Sequence, residues 1–109
     1  MSKSNFINEF VKNENQIGAI APSSKYLAQK MLAKIDFSTD LNIVELGPGT
    51  GIFTSKLLKR MSPSSKLLSL ELNPYFASKI RKYIQDSRCQ IRCESAENIN
   101  TALKQTQFP

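Results

Sequence analysis

The sequence contains no histidine and only two cysteines in 109 residues, so a zinc site would need two further ligands from carboxylates or from another chain. A resident metal is therefore not expected. No stretch approaches the roughly 18 consecutive apolar residues of a membrane span. The opening MSKSNFINEF carries polar residues where a secretory signal has its apolar core, and the expected address is cytoplasmic. There is no long basic block and no aromatic signature of an RNA-binding sheet, although the net charge is +6. Lysines and arginines are instead scattered through KLLKRM, KIRKY and RCQIRC, a pattern that favours anionic partners only weakly over simple solubility. Internal repeats and low-complexity tracts are absent, and the length suits one domain with one modest core.

What is present is an alternation of two hydrophobic periods. NFINEFVKN sets Phe6, Ile7, Phe10 and Val11 at helical spacing and predicts a short amphipathic helix. GAIAPSS marks a boundary, after which Ser23 or Ser24 caps a second helix with Leu27, Ala28, Met31, Leu32 and Ile35 on its apolar face. Asn42 to Leu46 reads as a buried strand, followed by Phe53, Leu57, Leu58 and Met61 at helical spacing until SPSS stops the segment. KLLSLEL predicts a second strand. Asn73 and Pro74 then open a helix that buries Phe76, Ala77, Ile80, Tyr83 and Ile84. CQIRCE predicts a third strand with Cys89 and Cys93 on one face as small core residues, and AENINTALKQ begins another helix or a loop.

Strands alternating with helices imply an α/β fold with a parallel sheet and right-handed crossovers. A doubly wound sheet grows on both sides of its first strand. Three strands leave one of those sides open, so the sheet is expected to be incomplete, as in a fragment, a truncated product, or a protomer that completes its sheet with another chain.

The stretch IVELGPGTGIFT joins the first strand to its helix. Gly47, Gly49 and Gly51 let the backbone turn sharply and approach a ligand closely. The following helix N-terminus favours a negatively polarised group. A dinucleotide fingerprint would need glycine where Ile52 stands, and a phosphate-binding P-loop would need Gly-Lys-Ser/Thr. Neither is present. The pattern is an acid, Glu45, followed by three alternate glycines.

VELGPGTG resembles motif I of the class I methyltransferases that use S-adenosylmethionine, and the resemblance continues over nearly the whole chain. It implies a Rossmann-like methyltransferase fold, divided into an N-terminal helical segment (residues 1–36) covering the cofactor site and the N-terminal half of a cofactor-binding domain (residues 37–109). By that resemblance Glu45, Gly47, Pro48, Gly49, Thr50 and Gly51 surround the methionine moiety of S-adenosyl-L-methionine. Glu71, with Leu72 beside it, takes the ribose, and Ser95, Ala96 and Glu97 of ESAEN receive the adenine. Ser95 stands where an aspartate is frequent in the family.

Within the class, NQIGAIAPSSKYLAQKML followed by VELGPGTGIFT and LELNPYFASKIRK looks most like the bacterial phospholipid N-methyltransferases, and more distantly like the rRNA adenine dimethyltransferases. In the former, Ala21, Pro22 and Ser23 form a wall of the pocket and the first helix meets the membrane surface. The resemblance implies methylation of a phospholipid amine such as phosphatidylethanolamine, with an anionic membrane surface as partner and a cytoplasmic, peripheral location. RNA adenine methylation and a non-catalytic cofactor-binding or interaction module are the alternatives. In these families the acceptor-binding residues follow the fourth strand, so no catalytic residue is assigned.

Overall fold

The computed structural model describes residues 17–20 and 25–108, with side chains from residue 29 onward, and arranges the alternating segments as one parallel sheet. Strands β1 (Ile17–Ile20), β2 (Asn42–Leu46), β3 (Lys66–Leu70) and β4 (Cys89–Arg92) are hydrogen-bonded in that order. Helices α1 (Lys25–Lys34), α2 (Ile52–Arg60), α3 (Pro74–Tyr83) and α4 (Ile99–Gln105) connect and flank them, with a 3₁₀ turn at Ala96–Asn98. No described helix is long and apolar enough to cross a membrane.

The two central strands are apolar at nearly every position because a parallel sheet is covered on both faces. On one face Ile43 and Leu67 pack with Met31, Leu32, Leu41, Phe53, Leu57, Leu58 and Met61, which belong to α1, α2 and the turns after them. On the other, Val44, Leu46, Leu68 and Leu70 pack against Ala102 of α4. The Asn73 side chain accepts the Tyr75 and Phe76 N–H groups at 2.8 and 3.4 Å and fixes the start of α3.

The three expected strands lie where the sequence placed them, and a fourth joins them. Ile17–Ile20 pairs in parallel with β2, from Ile17 opposite Asn42 to Ile20 opposite Glu45. Residues 1–36 are thus not wholly helical. Gly18 and Ala19 give this short run little intrinsic strand preference; the unpaired edge of β2 supplies the partner, and the edge expected to remain open is occupied. The amphipathic helix expected at Phe6 to Val11 lies outside the described residues, as do the cap candidates Ser23 and Ser24.

Two side-chain placements also differ. Cys89 is half-buried against the first core, whereas the strand ends at Arg92 and leaves Cys93 exposed. Helix α3 buries Ala77 and Ile80 completely, but Tyr83 sits one step around the helix and is 67% exposed.

Arg88 ties distant parts of the fold together. Its guanidinium donates to the carbonyls of Leu58, Met61 and Ser62 at 2.8, 2.8 and 3.2 Å, covering the C-terminal end of α2. Asp86 holds the same group through a 2.7 Å ion pair, and that contact keeps the Asp86 carboxyl below its usual range. Cations at helix C-termini are favourable because the last carbonyls lack intrahelical partners. Arg88→Ala should therefore lower the unfolding free energy by about 2 kcal/mol, read as a lower urea midpoint with an unchanged slope.

Candidate functional site

The C-terminal ends of β2 and β3 converge on the glycine loop. Register fixes their relationship: Glu45 lies opposite Ser69, and Glu71 follows Ser69 by two residues. Alternation along a strand puts both acids on the same face of the sheet. Their environments are nevertheless very different.

Glu45 is completely buried. Its Oε1 accepts the Thr54 hydroxyl from α2 and the Ser69 hydroxyl from β3, both at 2.7 Å. Its Oε2 has no partner among the described residues. Burial is the main cause that raises this carboxyl to about 7; the two hydroxyls oppose the rise and the charge of Glu71 adds to it. The sequence did not disclose Thr54 and Ser69 as partners. Their only signal was a hydroxyl at a position that the strand and helix periods would otherwise make apolar.

Glu71 is 7% exposed and acts as a clasp. Its Oε1 accepts the Gly49 N–H and its Oε2 the Asn73 N–H, both at 2.9 Å. One carboxylate thereby joins the glycine loop to the start of α3. The Gly49 amide is engaged by Glu71, while each carboxylate oxygen keeps a second lone pair for another donor.

The loop itself is held by backbone geometry. The Gly47 N–H donates to the Leu70 carbonyl at 2.9 Å, and the Gly51 N–H to the Pro48 carbonyl at 3.0 Å. Gly49 has a φ of 58° and Gly51 a φ of 85°, a region that residues with a Cβ adopt only with strain. A Cβ on Gly47 or Gly49 would meet nothing within 4 Å, whereas one on Gly51 would rest against Ile80 and Tyr83. Gly51 is the N-cap of α2 and supplies no side-chain cap.

The remaining sequence candidates fall around this centre. The Glu94 N–H donates to the Glu71 carbonyl at 3.0 Å and draws the segment after β4 alongside. Ser95 caps the 3₁₀ turn by accepting the Glu97 N–H at 3.2 Å. Ala96 is half-buried against the second core, and Glu97 is exposed. Leu72 is 69% exposed on the rim. Thr50 faces outward into a cleft of about 390 Å³ that it shares with Ile52, Tyr75, Phe76, Lys79 and Tyr83. The sequence reading did not identify that cleft. Pro22 and Ser23 lie outside the described residues.

An adenosyl amino acid needs open backbone beside a strand end, an acceptor for its sugar hydroxyls and an acceptor for its ammonium group. The empty space above Gly47 and Gly49 and the spare lone pairs of Glu71 meet the first two needs; Glu45, completely buried, is closed off from direct contact and could serve the ammonium only through its field. The residues present fit such a group.

Glu45 also makes a prediction for the protein alone. Its folded value lies above the 4.5 of an unperturbed carboxyl, so the folded state holds this proton more tightly than the unfolded chain. The associated stability is complete below about pH 4.5 and is lost as pH rises through about 7. Glu45→Gln, which keeps an acceptor for Thr54 and Ser69 without a charge, should remove that loss. Thermal melts from pH 4 to 8 should show the variant gaining on the parent by about 3 kcal/mol across this window. Parallel stability curves would contradict the assignment.

The family model described as ribosomal RNA adenine dimethylase matches residues 3–103. An ornithine lipid N-methyltransferase of Singulisphaera acidiphila is 34% identical over 77 residues, covering 71% of this chain and 40% of that protein. A malonyl-[acyl-carrier protein] O-methyltransferase of Ilyobacter polytropus is 35% identical over 86 residues, covering 77% and 32%. A dimethyladenosine transferase of Schizosaccharomyces pombe is 28% identical over 78 residues, covering 72% and 24%. The chain thus spans well under half the length of these relatives, which methylate different atoms of different acceptors. With a family match running across nearly all of its sequence, laid over a parallel sheet whose two strand-end acids share a face beside a glycine loop, this chain belongs to the ribosomal RNA adenine dimethylase family and so to the class I methyltransferases that use S-adenosyl-L-methionine.

Proposed function

We propose that this chain is the cofactor-binding part of a methyltransferase that transfers a methyl group to the amine of a lipid headgroup, such as phosphatidylethanolamine. The observation that carries the cofactor half of this reading is the Glu71 clasp, which holds a carboxylate within 2.9 Å of the Gly49 amide beneath open space. The lipid half draws support from the similarity to an ornithine lipid N-methyltransferase and from the GAIAPSS stretch. In this reading the chain works in the cytoplasm against an anionic bilayer, which its charge of +6 favours.

When bound, the cofactor supplies a methyl group activated by a sulfonium. The chain's own residues do the holding. Gly47 and Gly49 would allow the amino-acid tail to approach the backbone, Glu71 would accept hydrogen bonds from the ribose hydroxyls, and the buried Glu45 would act on the ammonium through its field. Leu72, Ser95, Ala96 and Glu97 would border the adenine. Fixing the donor in this way turns the transfer into a positioned displacement once an acceptor nitrogen is held in line.

RNA adenine is the second reading, favoured by the family model that spans residues 3–103. Vesicles of phosphatidylethanolamine with an anionic lipid, set against unmodified ribosomal RNA, separate the two by which one the chain binds.

Calorimetry with S-adenosylmethionine should give a sub-millimolar affinity. Glu71→Ala, losing two hydrogen bonds to a charged acceptor, should weaken it about 30-fold, or about 2 kcal/mol. Absence of binding heat together with absence of a thermal shift at millimolar cofactor would defeat the proposal.

A further inference from the structure

The least expected group in the molecule is the buried carboxyl of Glu45. It is fully enclosed, accepts two hydroxyl hydrogen bonds on Oε1, and leaves Oε2 without a partner. An ionised oxygen in that position would be a desolvated charge with nothing to compensate it. The facing groups do not help. Thr54 approaches from α2 and Ser69 from β3, both neutral; Glu71, just past β3, acts on it as a charge of its own sign, and the Cys89 thiol of β4, pushed up to about 12, is uncharged in this range. On β1 the residue in register with it is Ile20. Among the described residues no lysine or arginine offsets the carboxyl.

Glu45 is also electrically in touch with the loop. The Glu71 carboxylate, bonded to the Gly49 amide, is felt at Glu45 and disfavours its ionisation. A positive charge on the same loop acts with the opposite sign.

We infer that Glu45 carries a proton on its unpartnered oxygen while the glycine loop is empty and releases it when a cationic ligand settles there, so that cofactor binding expels a proton. The inference rests on the cofactor reading above and deepens it. The step balances simply: the O–H bond of Glu45 breaks, its proton goes to the buffer, and the negative charge left behind is offset through the field by the positive charge of the incoming molecule. Ligand recognition and deprotonation become one event. The site then favours cationic nucleosides over neutral ones of similar shape.

The test is calorimetry with S-adenosylmethionine in two buffers of different ionisation enthalpy, so that the difference in heat counts protons. With Glu45 titrating at about 7, close to one proton should leave per cofactor bound at pH 6 and about a tenth of one at pH 8, with affinity about tenfold weaker at pH 6. Glu45→Gln should abolish both effects. Ser69→Ala, which removes one donor to the ionised form, should move the midpoint of the affinity profile to higher pH; this keeps the inference open to test if the Gln variant does not fold. Buffer-independent heat with flat affinity in the parent protein overturns the inference and leaves the cofactor reading standing. Unchanged proton release in Glu45→Gln overturns it as well. No binding at any pH removes both together.

Discussion

The register between β2 and β3 is the constraint on which the site depends. Asn42 opposite Lys66 and Glu45 opposite Ser69 place a hydroxyl against a buried acid and carry Glu71 to the level of the glycine loop. A slip of one residue would turn Glu45 to the face where Val44 and Leu46 now pack on α4, and would separate it from both Thr54 and Ser69. The same slip would aim Glu71 away from Gly49. Hydrophobic burial on both faces therefore sets more than stability. It selects the alignment in which the polar groups meet.

Much of this was legible in the sequence, for reasons that differ by element. Strands β2 and β3 and helix α2 announce themselves through unbroken apolar runs and a clean helical spacing, and Phe53, Leu57, Leu58 and Met61 are all buried as that spacing requires. Strand β1 was not legible. Its four residues have weak intrinsic preference, and their strand conformation comes from an edge built by residues 42–46. Tyr83 belongs to an amphipathic pattern that fits two neighbouring helix faces, and the covered one is that of Ala77 and Ile80.

The site divides along similar lines. Glycines at alternate positions after a strand carry their backbone meaning with them, and an acid about 20 residues past the glycine loop matches a familiar nucleotide-site spacing. Hydrogen-bond partners are another matter, because they depend on helix rotation and strand alignment together. The serine–alanine–glutamate segment shows how one stretch takes two readings. Ser95 caps a 3₁₀ turn, yet it does so within a segment drawn beside Glu71 by a backbone hydrogen bond. Helices α2 and α3 contribute Lys56, Lys59, Arg60, Lys79, Arg81 and Lys82 with no carboxylate between them.

Arg88 gives helix α2 an unequal pair of ends. The guanidinium grips three carbonyls at the C-terminus, while the N-terminus begins at an uncapped glycine about 13 Å away along a nine-residue rod. The first turn is anchored instead by the Thr54 hydroxyl, which donates to the buried Glu45, so that the charge state of one carboxyl bears on how firmly the start of the helix is held.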